Sequence, residues 1–126
     1  MVVGTKVSCI LPDVTVVAIS GRLNLGNNLT SIETLLKRLI EEGARKLIVD
    51  LRDLAYIDSA GIGTLIATNG TMEKAGGRMR MASVQGLVAD LFATVHMERI
   101  VAMDADVGAA VGALAAGSGY SVAEAP

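Results

Sequence analysis

Short runs of β-branched and aliphatic residues alternate along this chain with longer segments of helical periodicity. The runs cover residues 5–11, 14–20, 46–51, 78–82 and 100–103. Strands that alternate with helices predict a parallel sheet joined by right-handed crossovers, because parallel neighbours cannot be joined by a short turn. Only Pro12-Asp13 separates the first two runs, and this spacing predicts an antiparallel hairpin. The sheet is therefore expected to be mixed.

Four segments have the apolar spacing of amphipathic helices, and they begin near residues 30, 59, 85 and 107. The first has the clearest start, because Thr30 and Glu33 form the pattern of a capping box, and Gly43 supplies a helix end. Residues 21–28 are rich in Gly and Asn and are predicted to form a loop. The predicted fold is α/β, a mixed β-sheet with four helices in the order β-β-α-β-α-β-α-β-α.

The chain has 126 residues, of which 52% are hydrophobic, so it is long enough and apolar enough for one domain with one core. We expect that domain to span residues 1–116. Residues 117–126 are rich in Gly, Ser and Ala and are predicted to be a flexible tail. Cys9 lies in the middle of a predicted strand and is expected to be a small core residue.

Composition excludes several classes of function. The formal net charge is −2, and the chain has one Phe, two Tyr and no Trp, so neither a basic block nor stacking rings favour direct nucleic-acid binding. One Cys and one His cannot build a zinc site or an internal disulfide, which indicates a reducing, cytoplasmic environment. No secretory signal and no apolar segment of about 20 residues is visible, so membrane insertion is not expected.

The segment with the clearest chemistry is residues 50–63, where a buried strand leads to Asp58-Ser59 at the start of a helix. Ligand sites in α/β sheets form at the carboxyl ends of strands, so we expect Ser59 to be exposed. A helix N-terminus also tolerates a phosphate, and phosphorylation adds about −1.5 to −2 charges. Two plainer roles stay open: Ser59 as a helix cap, and Asp58 as a cap or as a partner of the serine hydroxyl.

The sequence IDSAGIGTL at residues 57–65 closely resembles the signature of STAS domains of the anti-sigma factor antagonist type. Further segments resemble the family in the same order, so that the similarity extends over about residues 5–115. These segments are residues 21–24, 47–53, 76–81, 88–91 and 99–100.

The resemblance implies a bacterial phosphoprotein of transcription regulation that binds a serine-kinase anti-sigma factor and thereby releases a sigma factor. The kinase would phosphorylate Ser59 with ATP and so abolish binding, and a PP2C-type phosphatase would restore it. The protein itself would be neither an enzyme nor a cofactor carrier. The resemblance implies two partner contacts: one at Asp58, Ala60, Gly61 and Gly63, and one in the loop at Asn24 and Asn27.

The sequence departs from the family pattern in three places. Asn24 replaces the usual Asp, which removes a charged contact, and Ala60 replaces a frequent second Ser, which leaves one acceptor in the motif. Residues 94–97 replace the usual small Ser/Thr-Gly-Leu corner. These departures concern the identity of the partner more than the fold.

Alternative functions stay open at this point. A STAS domain can also belong to another assembly, either as a subunit of a lipid-transport complex or as the cytoplasmic regulator of a transporter. A small hydrolase with Ser59 as nucleophile would need a base such as His96, yet Ile57 breaks the Gly-x-Ser-x-Gly pattern. Asp50, Asp53 and Asp58 offer too few oxygens for a metal site. The sequence also leaves a homodimer open.

Overall fold

The computed structural model describes residues 3–10, 12–26 and 29–117. In chain order the elements are β1 (Gly4–Ile10), β2 (Val14–Leu23), α1 (Leu29–Glu41), β3 (Lys46–Asp50), β4 (Leu54–Ile57), α2 (Ser59–Lys74), β5 (Arg78–Ala82), α3 (Gly86–Thr94), a 3₁₀ turn (Met97–Arg99), β6 (Ala102–Asp104) and α4 (Val107–Gly117). The predicted α/β fold with a mixed sheet and four helices is confirmed. The structure adds one strand, β4, that the sequence pattern did not indicate.

The sheet has the order β1-β2-β3-β5-β6, and β4 pairs with β2 beside this path. β1 runs antiparallel to β2 over all seven of its residues, from Gly4 opposite Ser20 to Ile10 opposite Val14. The predicted hairpin is therefore confirmed. All other pairs are parallel, as expected for strands joined through helices.

β3 and β4 are successive stretches that both run beside β2. β3 pairs with residues 15–18 of β2, and β4 pairs with residues 21–23. The loop predicted for residues 21–28 begins later than expected, because β2 continues to Leu23 and its backbone groups find partners on β4. The Gly21 N–H also donates to the Asp53 carbonyl in the turn between β3 and β4. This continuation of β2 carries the chain to the edge where α2 begins.

Two apolar clusters lie on opposite faces of the sheet. The larger one joins β2, β3 and β5 to α1, α2 and α3, and contains side chains such as Val17, Leu36, Leu65 and Phe92. The smaller cluster packs α4 against the other face. The predicted alternation of β5 is confirmed, because its methionines are buried while its arginines are exposed or half-buried.

Other local predictions need correction. Thr30 is not the N-cap of α1, because the helix already includes Leu29, which is buried in the core. Cys9 is exposed rather than buried, because β1 is an edge strand whose central five residues are all exposed. Ile100 lies between the 3₁₀ turn and β6 and is 43% exposed, so the last strand starts later than predicted.

The C-terminal helix α4 ends at Gly117, where the flexible tail was predicted to begin. The rest of that predicted tail, residues 118–126, lies outside the described residues. Within the described part of the chain, no helix combines the length and apolar character needed to cross a bilayer.

Candidate functional site

The end of β4 places Asp58 and Ser59 at the carboxyl edge of the sheet. The Asp58 N–H donates to the Leu23 carbonyl at 3.2 Å, so the pairing of β2 with β4 continues one residue beyond β4. α2 begins at the next residue, Ser59. The first turn of α2 therefore lies directly beside the segment that follows β2.

Asp58 caps α2 and also holds that neighbouring segment. Its backbone is extended, with φ −105° and ψ −177°, and its Oδ1 accepts a hydrogen bond from the Gly61 N–H at 2.9 Å. Its Oδ2 accepts a second bond from the Leu25 N–H at 3.0 Å. Backbone donors thus occupy both carboxylate oxygens, and the alternative of a bond from the Ser59 hydroxyl is not what the structure shows.

The same contacts keep Asp58 ionised. Partial desolvation of the carboxylate acts to raise its pKa, but hydrogen bonds donated by the backbone of Gly61, Leu25 and Ala60 together bring the pKa of Asp58 below its ordinary value. Hydrogen bonds to the charged form of a carboxyl stabilise that form. The site therefore carries a negative charge beside Ser59 at neutral pH.

Ser59 is the first residue of α2 and is exposed, as its position after the strand predicted. The alternative reading of Ser59 as the helix cap was wrong, because the cap is Asp58. The serine hydroxyl is therefore not needed to cap the N-terminus of the helix. A residue at the first helical position also lies within reach of the partial positive charge of the helix N-terminus.

The two glycines after Ser59 differ in their surroundings. Gly61 is buried, and a Cβ there would lie 2.6 Å from the Leu23 carbonyl oxygen and 2.7 Å from Ile57 Cγ1. The predicted role of Gly61 in an external contact does not fit this position, because its missing side chain makes room for the strands inside the protein. Gly63 is exposed, and a Cβ there would meet no atom within 4 Å, whereas Ala60 is half-buried against the main core.

The segment after β2 forms the second side of the site. Asn24 is half-buried, and its Oδ1 is buried without a hydrogen-bond partner among the described residues. The other predicted contact residue, Asn27, lies outside the described residues. Sequence reasoning missed Leu25, which is 76% exposed although it is apolar. The sequence signal that could have indicated Leu25 is an apolar residue inside a Gly/Asn-rich segment. The Leu25 N–H is the group that binds Asp58.

The structure shows where the residues considered for catalysis and for metal binding lie. His96 is exposed just after α3, and the nearby Ile100 carbonyl accepts a bond from Asn69, ten residues and about 15 Å along α2 from Ser59. No described hydrogen bond joins His96 to Ser59. Among residues 3–10, 12–26 and 29–117, no three potential ligands group around a metal position. Asp50 instead accepts a bond from the Arg52 N–H.

Comparison with known proteins shows which family and which solved structures this chain resembles. Residues 8–110 match the family model of the STAS domain. The structure is similar to that of a Thermotoga maritima protein described as a candidate anti-sigma factor antagonist. The TM-score is 0.81 at 19% identity, over 89% of this chain and 95% of that one.

Two further solved structures share the fold. An anti-sigma factor antagonist from Mycobacterium paratuberculosis has a TM-score of 0.80 at 18% identity, over 90% of this chain and 95% of that one. The Bacillus cell fate determinant SpoIIAA, in its phosphorylated form, has a TM-score of 0.68 at 16% identity, over 87% and 99%. At these identities the similarity establishes the fold.

Proposed function

The chain belongs to the STAS domain family, and we propose that it is an anti-sigma factor antagonist switched by phosphorylation of Ser59. In its unmodified form it binds a serine-kinase anti-sigma factor, which then releases its sigma factor. The observation that carries the proposal is the position of Ser59: exposed, first in α2, and directly after the residue that caps the helix.

The geometry suits Ser59 as a phosphate acceptor. Ser59 is exposed, while Asp58 before it binds the Gly61 N–H of the first helical turn and the Leu25 N–H of the neighbouring segment. A kinase would thus meet a preformed acceptor. The γ-phosphoryl group of ATP would move to Ser59 Oγ, and the serine proton would pass to a base of the kinase. This chain would carry the phosphate and catalyse no step.

The effect of the phosphate follows from the charge already present. Asp58 stays ionised because its pKa is lowered, so a phosphate on Ser59 would place about two further negative charges beside it. In a packed contact those charges lose solvation and repel each other. A loss of two to three decades in affinity needs only about 3–4 kcal/mol, which such a change can supply.

The proposed contact surface combines the start of α2 with the segment after β2. Gly63 leaves the exposed side of the first helical turns bare, so a partner backbone can approach closely. Leu25, whose N–H is bound to Asp58, offers an exposed apolar side chain in the segment beside the start of α2. Asn24 and Asp58 supply polar groups at the same edge. Apolar anchors with polar surroundings are typical of interfaces.

A binding titration tests the proposal. A candidate anti-sigma kinase from the same genome is titrated with the unmodified protein, the Ser59-phosphorylated protein and Leu25→Ala. We expect binding by the unmodified protein, a loss of at least 100-fold on phosphorylation, and a loss of about tenfold for Leu25→Ala. Ile100→Ala serves as the matched control, because Ile100 is also an exposed apolar residue and its carbonyl is bound to Asn69, about 15 Å along α2 from Ser59.

Equal affinity of the phosphorylated and unmodified proteins for an active kinase partner would contradict the switch. Equal losses for Leu25→Ala and Ile100→Ala would contradict the proposed surface while leaving the switch intact.

A further inference from the structure

One edge of the sheet, strand β1, carries little of the protection that edge strands normally have. β1 pairs with β2 over seven residues without an interruption in register, so its outer side presents a regular row of backbone donors and acceptors. Native proteins usually shorten such edges, bend them, place charges or proline on them, or cover them. β1 contains no proline and a single charged residue, Lys6.

The opposite edge shows the usual protection. β6 has only three residues, all half-buried, and its Asp104 forms an ion pair with Arg80 on the neighbouring strand. β1 by contrast has five consecutive exposed residues, including Val7 at 43% exposure. The two edges of one sheet therefore differ in whether their backbone can accept another strand.

Nothing among the described residues covers the side of β1 that faces α1. Val7 lies opposite Val17 of the main core in the β1–β2 register, so it shares the face covered by the helices. Open depressions of about 400 Å³ and 350 Å³ separate α1 from Thr5 and from Cys9 respectively. Thr5, Val7 and Cys9 stay exposed beside α1, so the helix does not bury this face of β1.

We infer that β1 is a self-association surface, at which two copies of this chain pair antiparallel through β1 about a two-fold axis at Val7. Val7 is the central residue of Gly4–Ile10, so this register lets all seven residues pair. It sets Val7 against its own copy, Thr5 against Cys9 of the second copy, and Lys6 against Ser8 of the second copy.

A second copy is the occupant that fits the strand best. A two-fold axis lets one surface complement itself, and an antiparallel strand meets its own copy in full register. The only charge on the strand, Lys6, then faces a serine rather than another lysine, whereas a like-charged pair directly opposite is destabilising. Residues Thr5, Val7 and Cys9 lie on one face of the strand, so the two valines meet at the centre of the interface.

The expected dimer is weak. One pair of seven-residue strands buries less than the roughly 1,200 Å² at which stable interfaces begin, so association should depend on protein concentration. The surface does not include Ser59, and the inference is independent of the proposed switch.

Sedimentation velocity over a wide concentration range tests self-association, with Val7→Lys as the disruptive variant. Two lysines at the axis would repel each other, and the fold should persist because Val7 is exposed on an edge. Val95→Lys is the matched control, since Val95 has the same 43% exposure and lies at the end of α3. We expect a reversible dimer for the wild type and Val95→Lys, weakened at least tenfold in Val7→Lys.

Cross-linking tests the register. Thr5→Cys places a new thiol opposite Cys9 of the second copy, so mild oxidation with oxidised glutathione should give a covalent dimer. Ser8→Cys places its thiol opposite Lys6, and in the wild type the two Cys9 residues lie about four strand positions, or 13 Å, apart. Neither protein should therefore form a covalent dimer on oxidation. A strictly monomeric wild type, an unaffected Val7→Lys dimer, or equal cross-linking of Thr5→Cys and Ser8→Cys would each overturn the inference.

Discussion

The Asp58 carboxylate accepts a hydrogen bond from the Leu25 N–H, 33 residues earlier in the chain, at 3.0 Å. The same carboxylate caps α2 through the Gly61 N–H. One side chain therefore joins the segment after β2 to the helix that begins with Ser59. Because both sides of the site depend on this carboxylate, its removal should affect stability and the shape of the proposed contact surface together.

Replacement of Asp58 by Ala should destabilise the protein by about 1–2 kcal/mol, since it removes an N-cap and a tertiary hydrogen bond. Asp58→Asn should be milder, because Asn also caps helices. Chemical denaturation of the three proteins at neutral pH measures the difference. An Asp58→Ala variant as stable as the wild type would show that the carboxylate does not hold the site together.

The contribution of Asp58 should also depend on pH. Folding lowers its pKa, so the ionised carboxylate contributes its full stabilisation above the unfolded value of about 3.9. That contribution is lost as the pH falls through the lower folded value. The stability difference between the wild type and Asp58→Asn should therefore be constant near neutrality and shift against the wild type in acid. Denaturation curves between pH 7 and pH 3 measure this, and a pH-independent difference would contradict the assignment.

Gly61→Ala and Gly63→Ala should have opposite effects on stability. A Cβ at Gly61 would lie 2.6 Å from the Leu23 carbonyl oxygen, a backbone atom that cannot swing away, so we expect a loss of about 1–3 kcal/mol. Gly63 is exposed inside α2 with open space around it. Alanine there should stabilise the helix by about 0.5–1 kcal/mol. Thermal or urea unfolding compares the two, and equal effects would contradict the packing role of Gly61.

The pattern of the sequence was enough to predict the strands and helices that have a clear period, and the hairpin at Pro12-Asp13. It missed β4 because Leu54–Ile57 is short and lies immediately after a polar turn, and its partner is the far end of β2. The same pairing explains why residues 21–23 are a strand despite their Gly-rich composition. Long-range pairing of this kind leaves no local periodicity to recognise.

The candidate site was predictable in part. The motif located Ser59 and its exposure, because the start of a helix after a strand is exposed in such sheets. The different roles of Gly61 and Gly63 could not be predicted, because both are glycines of the same motif. Only the fold shows that Gly61 is the one that packs against Leu23. Cys9 was misassigned for a related reason: the local sequence of a strand does not reveal whether the strand lies at the edge of a sheet.

The ion pair between Arg80 and Asp104 should stabilise the β5–β6 edge. Two hydrogen bonds join the guanidinium to the carboxylate, one of them 3.2 Å long from Nη2 to Oδ1, and both residues are half-buried. Asp104→Ala should destabilise the protein by about 1.5–3 kcal/mol, because it leaves a charged donor unpaired. Glu42→Ala is the control: its pair with Arg38 is exposed and should contribute less than about 0.5 kcal/mol. Urea unfolding that ranks the two equally would contradict this difference.

The most direct measurement is the intact mass of the protein after incubation with ATP and a candidate anti-sigma kinase from the same genome. Wild type, Ser59→Ala and Ser31→Ala are compared, because Ser31 is also an exposed serine in the first turn of a helix, α1. We expect one added phosphate on the wild type and on Ser31→Ala, and none on Ser59→Ala. A kinase that is active on its own partner but adds no phosphate here, or adds one to Ser59→Ala, would contradict Ser59 as the switch.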